Sequence, residues 1–236
     1  MNNVFEFKQF SIEQTSSVFK VGTDACLLGA WVEVSNAALI LDVGTGTGVI
    51  ALICAQRNKT AQILAIDINS EATDLAAKNF LNSPWKSRLK TQCVRFQDLQ
   101  LSELFHFDLI VCNPPFFKDS IHNSTQSQSL ARHEIALNLA EMLEKAVNVL
   151  SPDGNIALII PYARASELLQ ISSQVGLHIQ RLFSVAPFGH KPANRLMVSL
   201  AKNKVDYHES HLVLRSSAKS YSAEFQQLMQ PYYKNF

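Results

Sequence analysis

A chain of 236 residues is long enough to build one domain around a full apolar core and needs no disulfide or metal staple. Only 17% of its side chains are charged, which excludes a long disordered tail and a charged coiled coil; its 21 basic residues nearly cancel 20 acidic ones, so the net charge of +1 names no partner. No basic segment leads into an apolar stretch near residue 1, and no apolar run approaches the ~18 residues of a membrane span, so a cytoplasmic protein without a membrane anchor is expected.

Residues 4–19 are aromatic-rich and partly alternating, as in a short strand pair or extended arm. GTDACLLGAWVEV (22–34) reads as a helix capped by Thr23, with Ala25, Leu28 and Trp31 at helical spacing. ALILDV (38–43) is a buried-strand run broken by Gly44, Gly46 and Gly48, and VIALICAQR (49–57) reads as the next helix. AQILAID (61–67) is a second strand; NSEATDLAAKNFLNS (69–83) is a helix capped by Asn69 or Ser70, with Ala72, Leu75, Ala76 and Phe80 on one face. TQCVRF (91–96) and FDLIVC (107–112) follow as third and fourth strands.

The polar segment KDSIHNSTQSQSL (118–130) reads as a flexible loop, and HEIALNLAEMLEKAVNVL (133–150) as a long helix stopped by SPDG. NIALIIP (155–161) is a fifth strand and ARASELLQISSQVG (163–176) a helix. HIQRLFSV (178–185) and NRLMVSLA (194–201) read as paired strands joined by APFGHKPA; HLVLR (211–215) adds an edge strand and YSAEFQQLMQPYY (221–233) a helix. This alternation implies an α/β fold: a doubly wound, mostly parallel sheet covered on both faces, with one antiparallel strand from the closing pair. A single domain over 1–236 is expected, with 1–34 as an N-terminal extension and 203–236 as a C-terminal strand and helix. Cys26, Cys54, Cys93 and Cys112 all lie in apolar stretches and form no CxxC, so all four are expected in the core. The seven histidines show no metal-ligand spacing, and no metal is expected.

LDVGTGTG (41–48) joins a strand to a helix, where glycines admit a ligand close to the backbone. It lacks the GK[ST] of a phosphate loop. It also departs from the dinucleotide fingerprint, because Gly48 comes one position early and Val49 takes the expected place. Asp42, two residues before Gly44, would repel a pyrophosphate and attract a cationic ammonium. Asp67, 19 residues beyond Gly48, ends the next strand, where a carboxylate can accept from both hydroxyls of a ribose. A ligand with an adenosine ribose, an amino-acid end and no phosphate meets all of these features, and S-adenosyl-L-methionine is that ligand. Asp98, after the third strand, is placed to meet the adenine amino group; Thr45, Ile68 and Asn113 also belong to the expected cofactor set. A nicotinamide oxidoreductase is disfavoured by Asp42 and the early Gly48.

Asn113-Pro114-Pro115-Phe116 follows the fourth strand at the same sheet edge. Two prolines fix the turn's shape and aim the Asn113 side chain and the Pro114 carbonyl into the crevice. Both are acceptors suited to a planar amino group, whose lone pair they would turn toward the methyl group. Phe116 offers a face on which an extruded base can stack.

LDVGTGTG, the Asp67 strand end and NPPF together resemble class I S-adenosylmethionine-dependent methyltransferases acting on planar amino groups. Adenine N6, guanine N2 and protein-glutamine enzymes share the turn. The last two usually carry an additional domain before the glycine loop, and the 40 residues present here leave no space for one. The intact NPPF argues against a non-catalytic cofactor- or RNA-binding module. FKQFSIEQ…FKVGTDACLLGAW (7–31) and ARHE (131–134) are more specific and resemble the bacterial tRNA1(Val) adenine-37 N6-methyltransferase family across nearly the whole chain.

That resemblance implies a seven-stranded Rossmann-like sheet and a tRNA anticodon loop as substrate. It also implies that Lys20, Val21, Gly22, Thr23 and Asp24 lie against the cofactor and that Asp98 and Leu99 contact its adenine. The family usually shows Met where this chain has Phe19. Two acid-free basic stretches, Lys78–Arg95 and Arg181–Lys204, carry five Lys or Arg each. From them Lys86, Arg88, Lys191 and Arg195 are expected to contact RNA phosphates, together with Phe116, Phe117, Arg132 and His133 beside the site.

Overall fold

β1 (Val4–Glu6) and β2 (Ser11–Glu13) pair as an antiparallel hairpin. Eight further strands form the central sheet of the computed structural model, which describes residues 3–18, 20–102, 106–114 and 138–236. They are β3 (Leu39–Val43), β4 (Gln62–Asp67), β5 (Leu89–Cys93), β6 (Phe107–Cys112), β7 (Leu150–Pro161), β8 (His178–Phe188), β9 (Arg195–Ala201) and β10 (His208–Arg215). Their order is β10-β8-β9-β7-β6-β3-β4-β5. β9 runs antiparallel to β7 and β8, and every other pairing is parallel, as expected. The strand count is eight instead of seven because β10 joins β8 in parallel at the edge; it is the HLVLR strand, begun three residues earlier at His208.

The described helices are α1 (Thr23–Trp31), α2 (Val49–Arg57), α3 (Ser70–Leu81), α4 (Leu139–Val149), α5 (Ala165–Gln174) and α6 (Ala223–Met229). Strand alternation divides the core into two layers. On β3, Ile40 faces the layer with α1 and α2, and Leu41 and Val43 face the layer with α4. β6 does the same: Leu109 and Val111 face one layer, Ile110 and Cys112 the other. Asp42 shares the side of Ile40, so a carboxylate enters an otherwise apolar face at 0% exposure.

Several local expectations change. α1 starts after Gly22, which has no side-chain cap, so Thr23 lies inside the helix. Its residues 25–31 are all buried, making it a core helix with no solvent face. SPDG does not stop α4 as a free turn. The chain passes directly from Val149 into β7, and the register jumps from Phe107↔Leu150 to Leu109↔Asn155, so residues 151–154 are absorbed as a strand irregularity. Asn138 caps α4 by accepting from the Ala140 N–H at 3.0 Å; the 118–130 loop and the expected start of this helix at 133 lie outside the described residues. Cys26, Cys54 and Cys112 are buried, and burial pushes the first two thiols up to about 11 and about 12. Cys93 is exposed instead, because it ends β5 at the open edge of the sheet.

Candidate active site

β3 lies between β4 and β6, and the strand order reverses there, which opens a crevice beyond the carboxyl ends of β3 and β6. The glycine loop leaves β3 into this crevice with φ of +71° at Gly44, +54° at Gly46 and +83° at Gly48. Such angles favour glycine. At Gly44 and Gly46 a Cβ would meet open space, which leaves the backbone approachable; at Gly48 it would lie 2.5 Å from a Phe80 ring carbon, so this glycine serves packing of α3. The Gly44 and Thr45 N–H groups donate to the Ile66 carbonyl at 2.9 and 3.0 Å, and the Gly46 N–H donates to Asp67 Oδ2 at 3.0 Å. Asp67 Oδ1 accepts from the Asn69 N–H at 3.0 Å. An ionised carboxylate has about four acceptor positions, so Asp67 fixes the loop and retains capacity for two ribose hydroxyls.

Asp42 Oδ2 accepts from the Thr45 hydroxyl at 2.7 Å, and Oδ1 is buried with no hydrogen-bond partner. Burial pushes this carboxyl up to about 7, with the Thr45 hydroxyl and the nearby Ala51 backbone N–H opposing and Asp67 adding. An orphaned acceptor beside the glycine loop fits a ligand that brings a cationic donor. Thr45 therefore acts first on Asp42.

Val43 and Cys112 are register partners on adjacent strands. The glycine loop and Asn113-Pro114 thus leave the sheet at one level, about 4.8 Å apart across the strand spacing. Asn113 is half-buried and its side-chain amide makes no hydrogen bond among the described residues; Pro114 is buried. Pro115, Phe116, Phe117, Arg132 and His133 lie outside the described residues.

The 20–24 segment reaches the same edge. The Val21 N–H donates to Gln14 Oε1 at 2.9 Å, and Asp24 Oδ2 accepts from Arg195 Nε at 2.7 Å. Arg195 starts β9 opposite Pro161 and Val185, at the carboxyl end of the parallel strands. Asp24 and Arg195 were expected to serve cofactor and RNA separately; they pair with each other, because the hairpin after β8 brings the guanidinium over the start of α1. Lys20, Gly22 and Thr23 are exposed. Beyond β5, the Val94 N–H donates to the Asp67 carbonyl at 2.9 Å, which brings the following turn beside Asp67. Asp98 is exposed there and Ile68 is 50% exposed, whereas the Leu99 side chain is buried in the α4 layer and leaves only its backbone for a ligand.

Sequence reasoning missed Asn79. Its amide donates to the Thr47 carbonyl at 2.9 Å and the Glu13 carbonyl at 3.2 Å and accepts from the Glu13 N–H at 2.9 Å. It ties the glycine loop to β2 through α3. Its signal was a polar residue, 1% exposed, within the apolar helical stretch AAKNF.

The methyltransferase small domain family matches residues 19–174. A tRNA1(Val) (adenine(37)-N6)-methyltransferase of Vibrio campbellii is 38% identical over 97% of this chain and 95% of its own. The enzyme so named in Parabacteroides distasonis is 38% identical over 98% of each chain. The chain belongs to the tRNA1(Val) (adenine(37)-N6)-methyltransferase family. A predicted O-methyltransferase from Agrobacterium tumefaciens shares the methyltransferase fold, with a TM-score of 0.69 over 89% of this chain and 96% of that one at 16% identity.

The methyltransferase divides its expected phosphate contacts between two sheet edges. Arg88 donates to the Ala61 and Ala55 carbonyls at 2.7 and 2.9 Å, bracing the start of β4 against the end of α2. Lys86 and Arg88 sit in a turn just before β5, at the amino edge and away from the crevice. Basic composition alone does not reveal which end of a strand a residue occupies. Arg88→Ala should lower stability in urea by about 2 kcal/mol by orphaning two carbonyls, and leave tRNA affinity within twofold. Lys191 is exposed on the β8–β9 connection at the crevice edge. Among the described residues no cluster of three His, Cys, Asp or Glu is placed to hold a metal, and no helix is long and apolar enough to cross a membrane.

Proposed function

We propose that this methyltransferase modifies the exocyclic N6 amine of adenine-37 in tRNA1(Val), in the cytoplasm, with S-adenosyl-L-methionine as methyl donor. The observation that carries the reading is the meeting of two loops on adjacent strands. The glycine loop, held to Asp67, leaves β3, and Asn113-Pro114 leaves the neighbouring strand at the same level; this supports reading the first as the nucleoside site and the second as the transfer turn. The names of relatives aligned over nearly the whole chain support the base and the tRNA.

When bound, S-adenosyl-L-methionine supplies a methyl group made electrophilic by its sulfonium. Asp67 holds the ribose while its other contacts fix the loop, and Asp42 offers its unpartnered oxygen to the ammonium end. Asp98 and the backbone at Leu99 border the adenine end. The Asn113 Oδ1 and the Pro114 carbonyl accept the two hydrogens of the substrate amine, which directs its lone pair along the line of transfer. The amine sheds its proton to solvent after the N–C bond forms, so the turn needs no general base. Phe116 supplies the stacking face that the NPPF pattern implies.

Nucleoside mass spectrometry of tRNA from cells with and without this gene tests the reading. N6-methyladenosine at position 37 of tRNA1(Val) should disappear in its absence. Loss of a guanine N2 or glutamine methyl group, with that adenosine still methylated, would sink it.

A further inference from the structure

Charge is sorted along the crevice edge. On the β3–β5 side, the carboxyl ends carry Asp67 and the exposed Asp98, with Arg95 the nearest offsetting cation in sequence. On the β8–β10 side the sign reverses. Arg215 ends β10 directly opposite Phe188, the last residue of β8, and Lys191 follows three residues after Phe188. The next turn, 216–220, is closed by the Ser216 and Ser217 N–H groups donating to the Ser220 carbonyl, and it presents Lys219 to solvent.

No acidic residue occurs within 189–205 or 210–223. Among the described residues Lys191, Arg215 and Lys219 form no ion pair. Arg215 is already positioned: its guanidinium lies 4.2 Å over the Tyr221 ring and donates to the Ala218 carbonyl at 3.4 Å. It lines a recess of about 390 Å³ together with Gly189, His211 and Ser216, with Glu224 as the one carboxylate of that lining. A guanidinium and serine hydroxyls line this recess, and the exposed Lys191 and Lys219 lie on the two turns that adjoin it; such a set suits phosphate oxygens.

We propose that Lys191, Arg215 and Lys219, at the carboxyl edge of β8 and β10, hold backbone phosphates of the RNA stem that flanks the target base. The assignment rests on the reading of this chain as a tRNA methyltransferase. Four strand spacings separate β6 from β10, about 19 Å, so a base at Asn113 and phosphates at Arg215 require a structured RNA spanning both. β10, the strand beyond the expected seven, is what carries Arg215 to that position.

The test is binding of purified tRNA, of its anticodon stem-loop and of an unstructured seven-nucleotide RNA bearing the target adenine. The proteins are the wild type, Arg215→Ser/Lys219→Ser and Lys191→Glu/Lys219→Glu. The second pair alters only exposed side chains, so it stays informative if loss of the Arg215 packing unfolds the first. Both should weaken tRNA and stem-loop binding at least tenfold, lower the slope of log affinity against log salt by about 2, and leave the short RNA and S-adenosylmethionine within twofold. Unchanged tRNA affinity in Lys191→Glu/Lys219→Glu, or equal losses for stem-loop and short RNA, would overturn the assignment. A wild type that binds these RNAs but places no methyl group on adenine-37 would refute the proposed function instead.

Discussion

Asn113→Ala should lower kcat for methyl transfer by about 10³-fold while the Kd for S-adenosylmethionine stays within about threefold. The size follows from the task. A nucleobase amine is a poor nucleophile because its lone pair is delocalised into the ring, and one of the two acceptors that localise it would be gone. The split between kcat and Kd follows from placement: Asn113 leaves β6, whereas the proposed nucleoside site is built on β3 and β4, and no described contact joins the Asn113 side chain to either. Asn113→Asp keeps an acceptor at the same position and should retain at least a tenth of the activity. Stopped-flow or radiolabel turnover with saturating tRNA, beside calorimetric cofactor binding, separates the outcomes. Near-normal turnover by the alanine variant would remove Asn113 from the reaction.

Asp42 should make the ligand-free protein less stable as pH rises. Its carboxyl is raised from an ordinary 3.8 to about 7 in the fold, chiefly by burial. Between those values the folded state holds a proton that the unfolded chain has released, so stability falls across that window and levels off above it. The full swing is on the order of 4 kcal/mol. Glu6, Glu33 and Glu167 are held below their ordinary range, mainly by hydrogen bonds from Lys234, Ser35 and Arg164; their contribution is lost as pH falls through the carboxylate range and is flat through the upper part of this window. Urea denaturation at pH 5 and pH 8 should therefore show a drop for the wild type and almost none for Asp42→Asn. The same variant should bind S-adenosylmethionine about 10- to 100-fold more weakly, having lost a charge-assisted hydrogen bond. Equal affinity would dissociate the buried carboxylate from the ammonium.

The doubly wound sheet was legible because its strands are continuous apolar runs and its helices carry 3.6-residue spacing; α4 buries Leu139, Met142, Leu143, Ala146 and Val149 in that pattern. The reversed strand β9 was legible from the tight spacing of its hairpin with β8. Irregularity was less legible: SPDG looks like a helix stop, yet the strand absorbs it, because pairing between β6 and β7 outweighs local turn preference. At the site, Asp42, Asp67 and the glycine φ values follow from spacing along one strand–loop–helix unit. Pairings between distant segments do not. Asp24 with Arg195 and Asn79 with Glu13 and Thr47 join positions far apart in sequence, and nothing local distinguishes Arg195 from Lys191, or Arg88 from a surface arginine.

The β1–β2 hairpin also imposes an order of events during translation. Its residues are made before every strand of the central sheet, but a two-stranded ribbon this short is not stable alone. Some of its partners, such as Asn79, emerge with α3; others, among them Tyr232 and Tyr233, are made more than 200 residues after the hairpin. At 5–20 residues per second that interval is roughly 10–45 s. The sheet through β9 can form during it, whereas the hairpin cannot close over Tyr233. Gln14 and Glu13 anchor the 20–24 segment and the glycine loop through partners within the first 79 residues, so the crevice loops can be tied before the hairpin gains its last packing partners. A half-made chain would therefore carry the hairpin without the Tyr233 ring that Phe7 packs against, and the exposed aromatic faces of the hairpin would wait for the end of synthesis to be covered.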